Sequence, residues 1–290
     1  MTHRFELGDC FELLKTIPDN SVDMCLTDPP YFIDGLGDNW NTDSIKKRIP
    51  GKEGAIPTLP SGMKFDPKQG RKFEEFMGRV SAEVFRVLKP GGFYIAFSQA
   101  RLYHRLAVAV EDAGFDMRDM IGWTYNGHGK AFSQDHIIRK QKDLTEDQKN
   151  QLIKQLEGWK TPQLKPMIEP MCLGQKPFEG KFIDVWREYG VGLMNTNTLF
   201  RGEYPGNIIN ISKPSKNEKG DYNDHVSVKP VELCEHLIKL FTQPGATVLD
   251  PFLGSGTTLV AAEQTGRNCI GFEVSPKYFD IIKQRFNDTQ

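Results

Sequence analysis

The chain is short of several things, and each shortage removes a class of answer. Its five cysteines, Cys10, Cys25, Cys172, Cys234 and Cys269, are odd in number and scattered, with no CxxC pair among them. That pattern argues against a disulfide framework, and the six histidines do not stand at zinc spacing from the cysteines. No structural metal is expected. Long apolar runs are missing too: "LAVAV" at 106–110 is among the longest, against the roughly 20 residues a bilayer demands. The opening residues MTHRFELGDCFE lack the apolar centre of a secretion signal. Reduced thiols in a cytoplasm are the expectation. Charge of one sign is also lacking, the net being −1. Its distribution says slightly more, since residues 127–219 carry 15 Lys and Arg against 11 Asp and Glu, and the remainder 22 against 27. A mildly basic middle in an acidic frame fits a DNA-facing module, and fits an ordinary solvated surface about as well.

What is present is alternation of strands and helices over a length of 290 residues, enough to bury a substantial core. "CFELLKTI" (10–17) reads as a helix with Asp9 at its N-cap and Pro18 as its stop, and "VDMCLT" extends after a turn. Residues 32–70 are rich in Gly, Pro, Asn and Asp without periodicity; a connection that long in a compact domain is usually functional or mobile. "RKFEEFMGRVSAEVFRVL" then sets Phe73, Phe76, Met77, Val80, Val84, Val87 and Leu88 on one helical face. The strand "FYIAF" (93–97), a helix near 99–112 and the strand "FDMRDMIGW" (115–123) follow. From 127 to about 224 the pattern turns irregular and polar, with one convincing helix opened by a Thr145/Gln148 capping box. This stretch reads as an inserted module without internal repeats. Alternation returns with "KPVELCEHLIKLF", "ATVLD", "LVAAEQTG", "RNCIGFE" and a last helix from Pro276. The fold class is α/β, a mainly parallel sheet covered on both faces.

Two stretches carry chemistry. The first, "VLDPFLGSGTT", is a strand, a glycine turn and a helix start, where Gly254 and Gly256 let a ligand approach the backbone. Glu273 ends the next strand 19 residues after Gly254, where a carboxylate can accept bonds from both hydroxyls of a ribose. The third glycine of a dinucleotide fingerprint is missing, Thr258 and Leu259 standing there, and so is the Gly-Lys-Ser/Thr ending of a P-loop. An adenosine-bearing cofactor without a pyrophosphate fits, and S-adenosylmethionine is one.

The second stretch is "TDPPY", where a buried strand stops at Asp28, Pro29, Pro30 and Tyr31. An exocyclic amine is a poor nucleophile because its lone pair is delocalised into the ring. A carboxylate at Asp28 and a backbone carbonyl of the Pro29-Pro30 segment can each accept one of its N–H bonds and aim the lone pair at a methyl donor. The prolines stiffen the turn, and Tyr31 offers a flat face for the base. An amine in a duplex lies inside the stack, so its nucleotide must first flip out. The bland alternative is a rigid turn capped by a carboxylate.

Together "GDCFELLKTIPDNSVDMCLTDPPY", "EVFRVLKPGGFYIAF", "HVSVKPVELCEHLIKLF", "TVLDPFLGSGTT" and "GFEVSPKYF" resemble the DNA amino-methyltransferases, which modify adenine N6 or cytosine N4. The catalytic motif precedes the cofactor motif, an order similar to the β-class permutation of that family. The resemblance implies a doubly wound, Rossmann-like sheet of seven strands, one of them reversed. It implies a catalytic and cofactor-binding domain of residues 1–126 and 225–290, and a target-recognition region at 127–224. It also implies a cofactor pocket of Asp250, Phe252, Gly254, Ser255, Gly256, Thr257 and Thr258, with Glu273 on the ribose and Asp9 by the adenine. Lys229 would border the methionine end, and Asp28 would sit between donor and acceptor. Asp9 can equally be a helix cap and Lys229 a surface lysine.

Asp rather than Ser at the head of the motif resembles the adenine-modifying members, so adenine N6 is the expected target and cytosine N4 the alternative. Lys130, Gln134, Arg139 and Lys140 are candidates for reading base edges, or for phosphate contacts or plain surface. Trp40, in the long loop, could close over a flipped base or pack on the domain. An RNA or other planar-amine acceptor, a silent DNA-binding homologue and a dehydrogenase remain open alternatives. The expected partner is duplex DNA, in a prokaryotic or phage-encoded cytoplasmic protein; a second copy as a homodimer and a separate restriction endonuclease are partners the sequence leaves open.

Overall fold

The computed structural model describes residues 1–31, 67–129, 131–223, 225 and 227–288. The expectations for Trp40 and Lys130 lie outside them. Eight strands form one sheet: β1 (His3–Leu7), β2 (Val22–Thr27), β3 (Leu88–Phe97), β4 (Asp116–Thr124), β5 (Ile168–Gln175), β6 (Ile208–Asn210), β7 (Thr247–Asp250) and β8 (Asn268–Glu273). Their order is β1-β8-β7-β2-β3-β5-β4-β6. β5 is antiparallel to both of its neighbours, β3 and β4, and the other pairings are parallel. The single reversed strand agrees with expectation; the strand count does not, because the three-residue β6 adds an eighth strand at one edge beside β4.

β2 explains why the sheet is covered twice. All six of its residues are buried, and its side chains alternate between faces. Met24 and Leu26 point into one core with Ile95, Leu233, Leu237, Ile238 and Val248. Cys25 points into the other with Leu14, Phe73, Met77, Val84 and Leu106, and Val22 joins it because the register shifts between Val22 and Met24. Helices α1 (Cys10–Leu14), α2 (Pro67–Val87) and α3 (Tyr103–Asp112) cover that second face. On α2 the expected stripe is real: Phe73, Met77, Val80, Val84 and Val87 are completely buried. Helices α8 (Val231–Phe241), α9 (Thr257–Gln264) and α10 (Pro276–Asn287) serve the first face. The remaining helices, α4 (Asp135–Arg139), α5 (Glu146–Gln155), α6 (Phe182–Tyr189) and α7 (Lys216–Lys219), belong to the long irregular stretch. There the Thr145/Gln148 capping box forms as its spacing predicts.

That stretch also supplies β5, whose residues 170–175 are buried between β3 and β4. Residues 127–224 therefore do not stand wholly apart from the sheet. β1 escaped the sequence pattern, and one expected helix starts later than its pattern suggests. β1 precedes α1 although its run HRFEL is too polar to stand out, and it is held as an edge strand by pairing with β8. The helix expected near 99 starts at Tyr103. Among the described residues no helix is long and apolar enough to cross a membrane.

The chain runs outward from the middle of the sheet in both directions, β7 to β8 on one side and β2 to β3 on the other. Strand order thus reverses between β7 and β2, and a crevice opens at the carboxyl ends of strands at such a switch point. Ile95 of β3, fully buried against both neighbours, tests the core that supports it. Ile95→Ala is expected to lower unfolding free energy by about 2–5 kcal/mol in urea titrations, with an unchanged slope.

Candidate active site

A cavity of about 860 Å³ fills that crevice, a size suited to a small-molecule ligand. Every residue expected at the site lines it except Gly256, which turns the backbone behind the wall. β7 delivers Asp250, only 3% exposed, whose Oδ1 accepts the Thr27 hydroxyl at 2.6 Å and the Phe252 N–H at 3.0 Å. The first bond ties the two strands across the switch point. Burial pushes this carboxyl up to about 6. The turn that follows needs glycine at two places, since Gly254 has φ +56° and Gly256 φ +84°. A side chain at Gly254 would also come 3.1 Å from the His225 ring. Ser255, Thr257 and Thr258 are buried, and Arg285 donates to the Ser255 carbonyl and the Thr257 hydroxyl, so the helix start is braced from behind.

Glu273 ends β8 and faces this turn. Its Oε2 accepts the Gly254 N–H at 2.9 Å and its Oε1 the Ser275 N–H at 2.7 Å. A carboxylate has about four lone-pair sites, so one on each oxygen remains for a pair of neighbouring hydroxyls. Burial raises the Glu273 carboxyl to about 7, against the bonds from Ser275 and Gly254, which lower it. Asp9 is the helix cap the sequence allowed, and more than a cap. It caps α1, accepting the Phe11 N–H at 2.8 Å, and it lines the cavity. Phe252 stands on the wall with its ring 5.8 Å from that of Phe76.

The other side of the cavity belongs to β2. Asp28 follows its last residue and receives three bonds: the Tyr31 hydroxyl donates to Oδ1 at 2.8 Å, and Ser227 Oγ at 3.2 Å and Lys229 Nζ at 2.5 Å donate to Oδ2. Lys229 is no surface lysine. It is 6% exposed, lies 5.0 Å over the Phe97 ring, and makes a second ion pair with Glu169 Oε1 at 2.8 Å. Burial alone would lower its pKa, but the Asp28 and Glu169 charges outweigh it and hold the ammonium charged. Tyr31 is largely buried, and its hydroxyl also lies 3.2 Å from Glu169 Oε1.

Three site residues escaped the sequence reading. Ser227 and His225 stand in the stretch "HVSVKP", where only Lys229 carries a signal by residue type. His225 packs edge-on against Tyr278 with ring centroids 4.5 Å apart, and its Nδ1 accepts the Ser227 N–H. Glu169 had the weakest signal, one acid at the head of "IEPMCLGQ", a run interrupted by proline. Of the candidate base readers, Arg139 and Lys140 are exposed at the end of α4 and Gln134 stands at its start, away from the cavity lining.

Comparison with known proteins places the chain in a family. The sequence model of the N6_N4_Mtase family, described as DNA methylase, matches residues 22–284. The type II methyltransferase M.HindIII of Haemophilus influenzae is 30% identical over 289 residues, covering 94% of this chain and 91% of its own. Among solved structures, PvuII DNA methyltransferase (cytosine-N4-specific) superposes with a TM-score of 0.64 at 19% identity, covering 99% of this chain and 86% of that one. M1.HpyAVI, solved as its SAM complex, gives 0.58 at 22% identity, covering 98% of each chain. These two likenesses establish the fold.

The raised carboxyls make a test of the wall. Glu273 titrates at about 7 when folded against an ordinary 4.5, so the folded chain binds more protons than the unfolded chain between those values. Stability from this group is therefore present at low pH and lost as pH rises through that window, by an amount on the order of 3 kcal/mol. Glu273→Gln removes this titration, so urea midpoints should show the wild type losing ground to the variant between pH 4.5 and 7.5. A difference that stays flat, or runs the other way, would contradict the burial account.

Proposed function

The chain belongs to the N6/N4 DNA methylase family, and from that premise we propose that it methylates the N6 amine of an adenine flipped out of a specific site in duplex DNA. S-adenosylmethionine is the methyl donor. The observation that carries the reading is Asp28, held by Tyr31, Ser227 and Lys229 beside two prolines, on the same cavity as the glycine turn and Glu273.

The residues fit the donor. Glu273 keeps acceptor capacity for the ribose hydroxyls, Asp9 borders the space for the adenine, and Asp250, Phe252 and the turn from Gly254 to Thr258 border the methionine portion and sugar. Bound there, the donor supplies an electrophilic methyl group on a sulfonium sulfur. Asp28 accepts one N–H of the target amine, and a carbonyl of the Pro29-Pro30 segment accepts the other. Their combined pull gathers the lone pair onto nitrogen and points it along the line of transfer. The C–N bond forms as the C–S bond breaks, and the surplus amine proton leaves toward the carboxylate. Pro29 and Pro30 cannot swing away, so the acceptor carbonyl is already in place when the base arrives. Tyr31 closes the side of the base pocket.

Base choice follows the head of the motif. An ionised Asp28 accepts more strongly than a hydroxyl would, as in the adenine-modifying members that the motif resembles. Cytosine N4 is the second reading. Recognition of sequence we assign to the parts of 127–224 outside the sheet, where Arg139 and Lys140 are exposed; β5 is excluded, being buried within the catalytic core.

Methyl transfer from labelled S-adenosylmethionine to mixed-sequence duplex DNA, followed by nucleoside analysis, tests the reading. Label is expected in N6-methyladenine, and Asp28→Ala should reduce transfer by about 100-fold or more. Label in N4-methylcytosine would keep the chemistry and overturn the base. Label in RNA alone would overturn the substrate.

A further inference from the structure

The buried cluster beside Asp28 holds one carboxylate more than methyl transfer requires. Among the described residues, the ion pairs of both Asp28 and Glu169 run to Lys229. A lysine serving only to orient Asp28 needs no second anion, and a buried anion left in excess is costly. Glu169 also does not line the cavity, so it does not reach substrate or cofactor directly. It lies on β5, the reversed strand, behind Tyr31 and Lys229.

Its geometry suggests a use. Asp28 already accepts three hydrogen bonds, and a carboxylate offers about four lone-pair sites. An arriving amine therefore meets a nearly saturated acceptor. Two of the three donors have a second acceptor waiting, and it is the same atom. Glu169 Oε1 stands 2.8 Å from Lys229 Nζ and 3.2 Å from the Tyr31 hydroxyl. A phenol has one proton, so Tyr31 serves either carboxylate but not both. Moving toward Glu169 leaves neither the ammonium nor the phenol without a partner, which is what makes the exchange cheap in a buried site.

We propose that Glu169 is a positioning residue for methyl transfer, the alternative acceptor that takes the Tyr31 hydroxyl and Lys229 so that Asp28 is open to the target amine. The assignment rests on the reading of the chain as a DNA amino-methyltransferase. No atom is transferred to or from Glu169; hydrogen bonds change partner, and the proton of the amine leaves by way of Asp28 as before. The groups that face the exchange are Asp28 and Tyr31 after β2, Ser227 and Lys229 ahead of α8, and Tyr125 after β4, whose phenol is raised first by burial and then by the Glu169 charge. Burial raises Glu169, with Lys229 opposing that rise and Asp28 adding to it. Glu169 must be ionised to attract its donors, so the exchange fails as pH falls through its raised value.

Two measurements on the full-length protein test this, with a melting curve on each variant to confirm folding. In single-turnover transfer to duplex DNA, Glu169→Gln is expected to slow the chemical step at least tenfold while leaving the dissociation constants for S-adenosylmethionine and DNA within threefold. It should also remove the loss of rate on the acid side of the wild-type profile. In a Lys229→Gln background the same substitution should cost little further, because the main donor to be exchanged is gone; independent structural losses would instead multiply. The second measurement needs no transfer: a carboxyl ¹³C titration of the free protein should place Glu169 above the ordinary carboxylate range, and higher still in Lys229→Gln. A Glu169→Gln enzyme within twofold of wild type, or a Glu169 signal that ignores Lys229, overturns the assignment while leaving the proposed function intact. A wild type that labels neither DNA base overturns the functional reading, and this proposal falls with it.

Discussion

The ammonium of Lys229 is the point on which the site is built. It is held between Asp28 at 2.5 Å and Glu169 at 2.8 Å, from a segment far along the chain from either. An unpaired charge at that depth would be severely destabilising, so the pairing fixes three pieces of chain against one another: the end of β2, the start of β5 and the segment entering α8. Replacing such a cluster with apolar residues of equal volume is often neutral or favourable to stability. Its presence here is therefore better explained by the role proposed for Asp28 than by what holds the fold together. The rest of the fold is already provided for, with β2 buried along its whole length between two apolar cores.

The two walls of the cavity solve different electrostatic problems. On the Asp28 side a lysine, a hydroxyl and a phenol keep a carboxylate supplied with donors. On the side of the glycine turn Asp250 and Glu273 are buried with backbone N–H groups and a threonine hydroxyl as their partners, and burial wins, lifting them to about 6 and about 7. Acids tuned that way hold loosely to their charge in the free protein. Hydroxyl groups brought by a ligand would lower them again, because hydrogen bonds to the charged form favour it. Binding on this wall and protonation are thus linked, while the Asp28 wall is tied to the state of Lys229 and Glu169.

How much of this could be read from residues alone depended on whether a feature was local. Asp28-Pro-Pro-Tyr, the glycine turn and Glu273 each sit at the end of a buried apolar run, so pattern and chemistry coincide there. The capping box at Thr145 was equally legible, because its bonds span three residues. β1 and β5 were not. β1 is a polar edge strand recruited by β8, and β5 carries a proline and lies in a stretch whose composition suggests a separate module. Both are strands by virtue of partners distant in sequence. Missing β5 also hid Glu169, since an acid at the head of an unrecognised strand has no reason to be placed against Lys229.

The order of the motifs, catalytic before cofactor, has no bearing on where they meet. β2 and β7 are adjacent and parallel, with Met24 opposite Val248 and Cys25 opposite Leu249, so their carboxyl ends open on the same side. The hydrogen bond from Thr27 to Asp250 closes the seam directly beneath the cavity. A chain that wrote β7 before β2 would produce the same juxtaposition, provided that strand order still reversed between them. The requirement the sequence has to meet is therefore spatial: two parallel strands side by side, one ending in a turn that takes glycine, the other in a carboxylate braced by proline. The reversed β5 then adds what a purely parallel sheet of this order would lack. Running antiparallel to β3, it brings its first residues, rather than its last, to the carboxyl ends of β2 and β3. Glu169 reaches the site for that reason, as the second residue of a strand that points the other way.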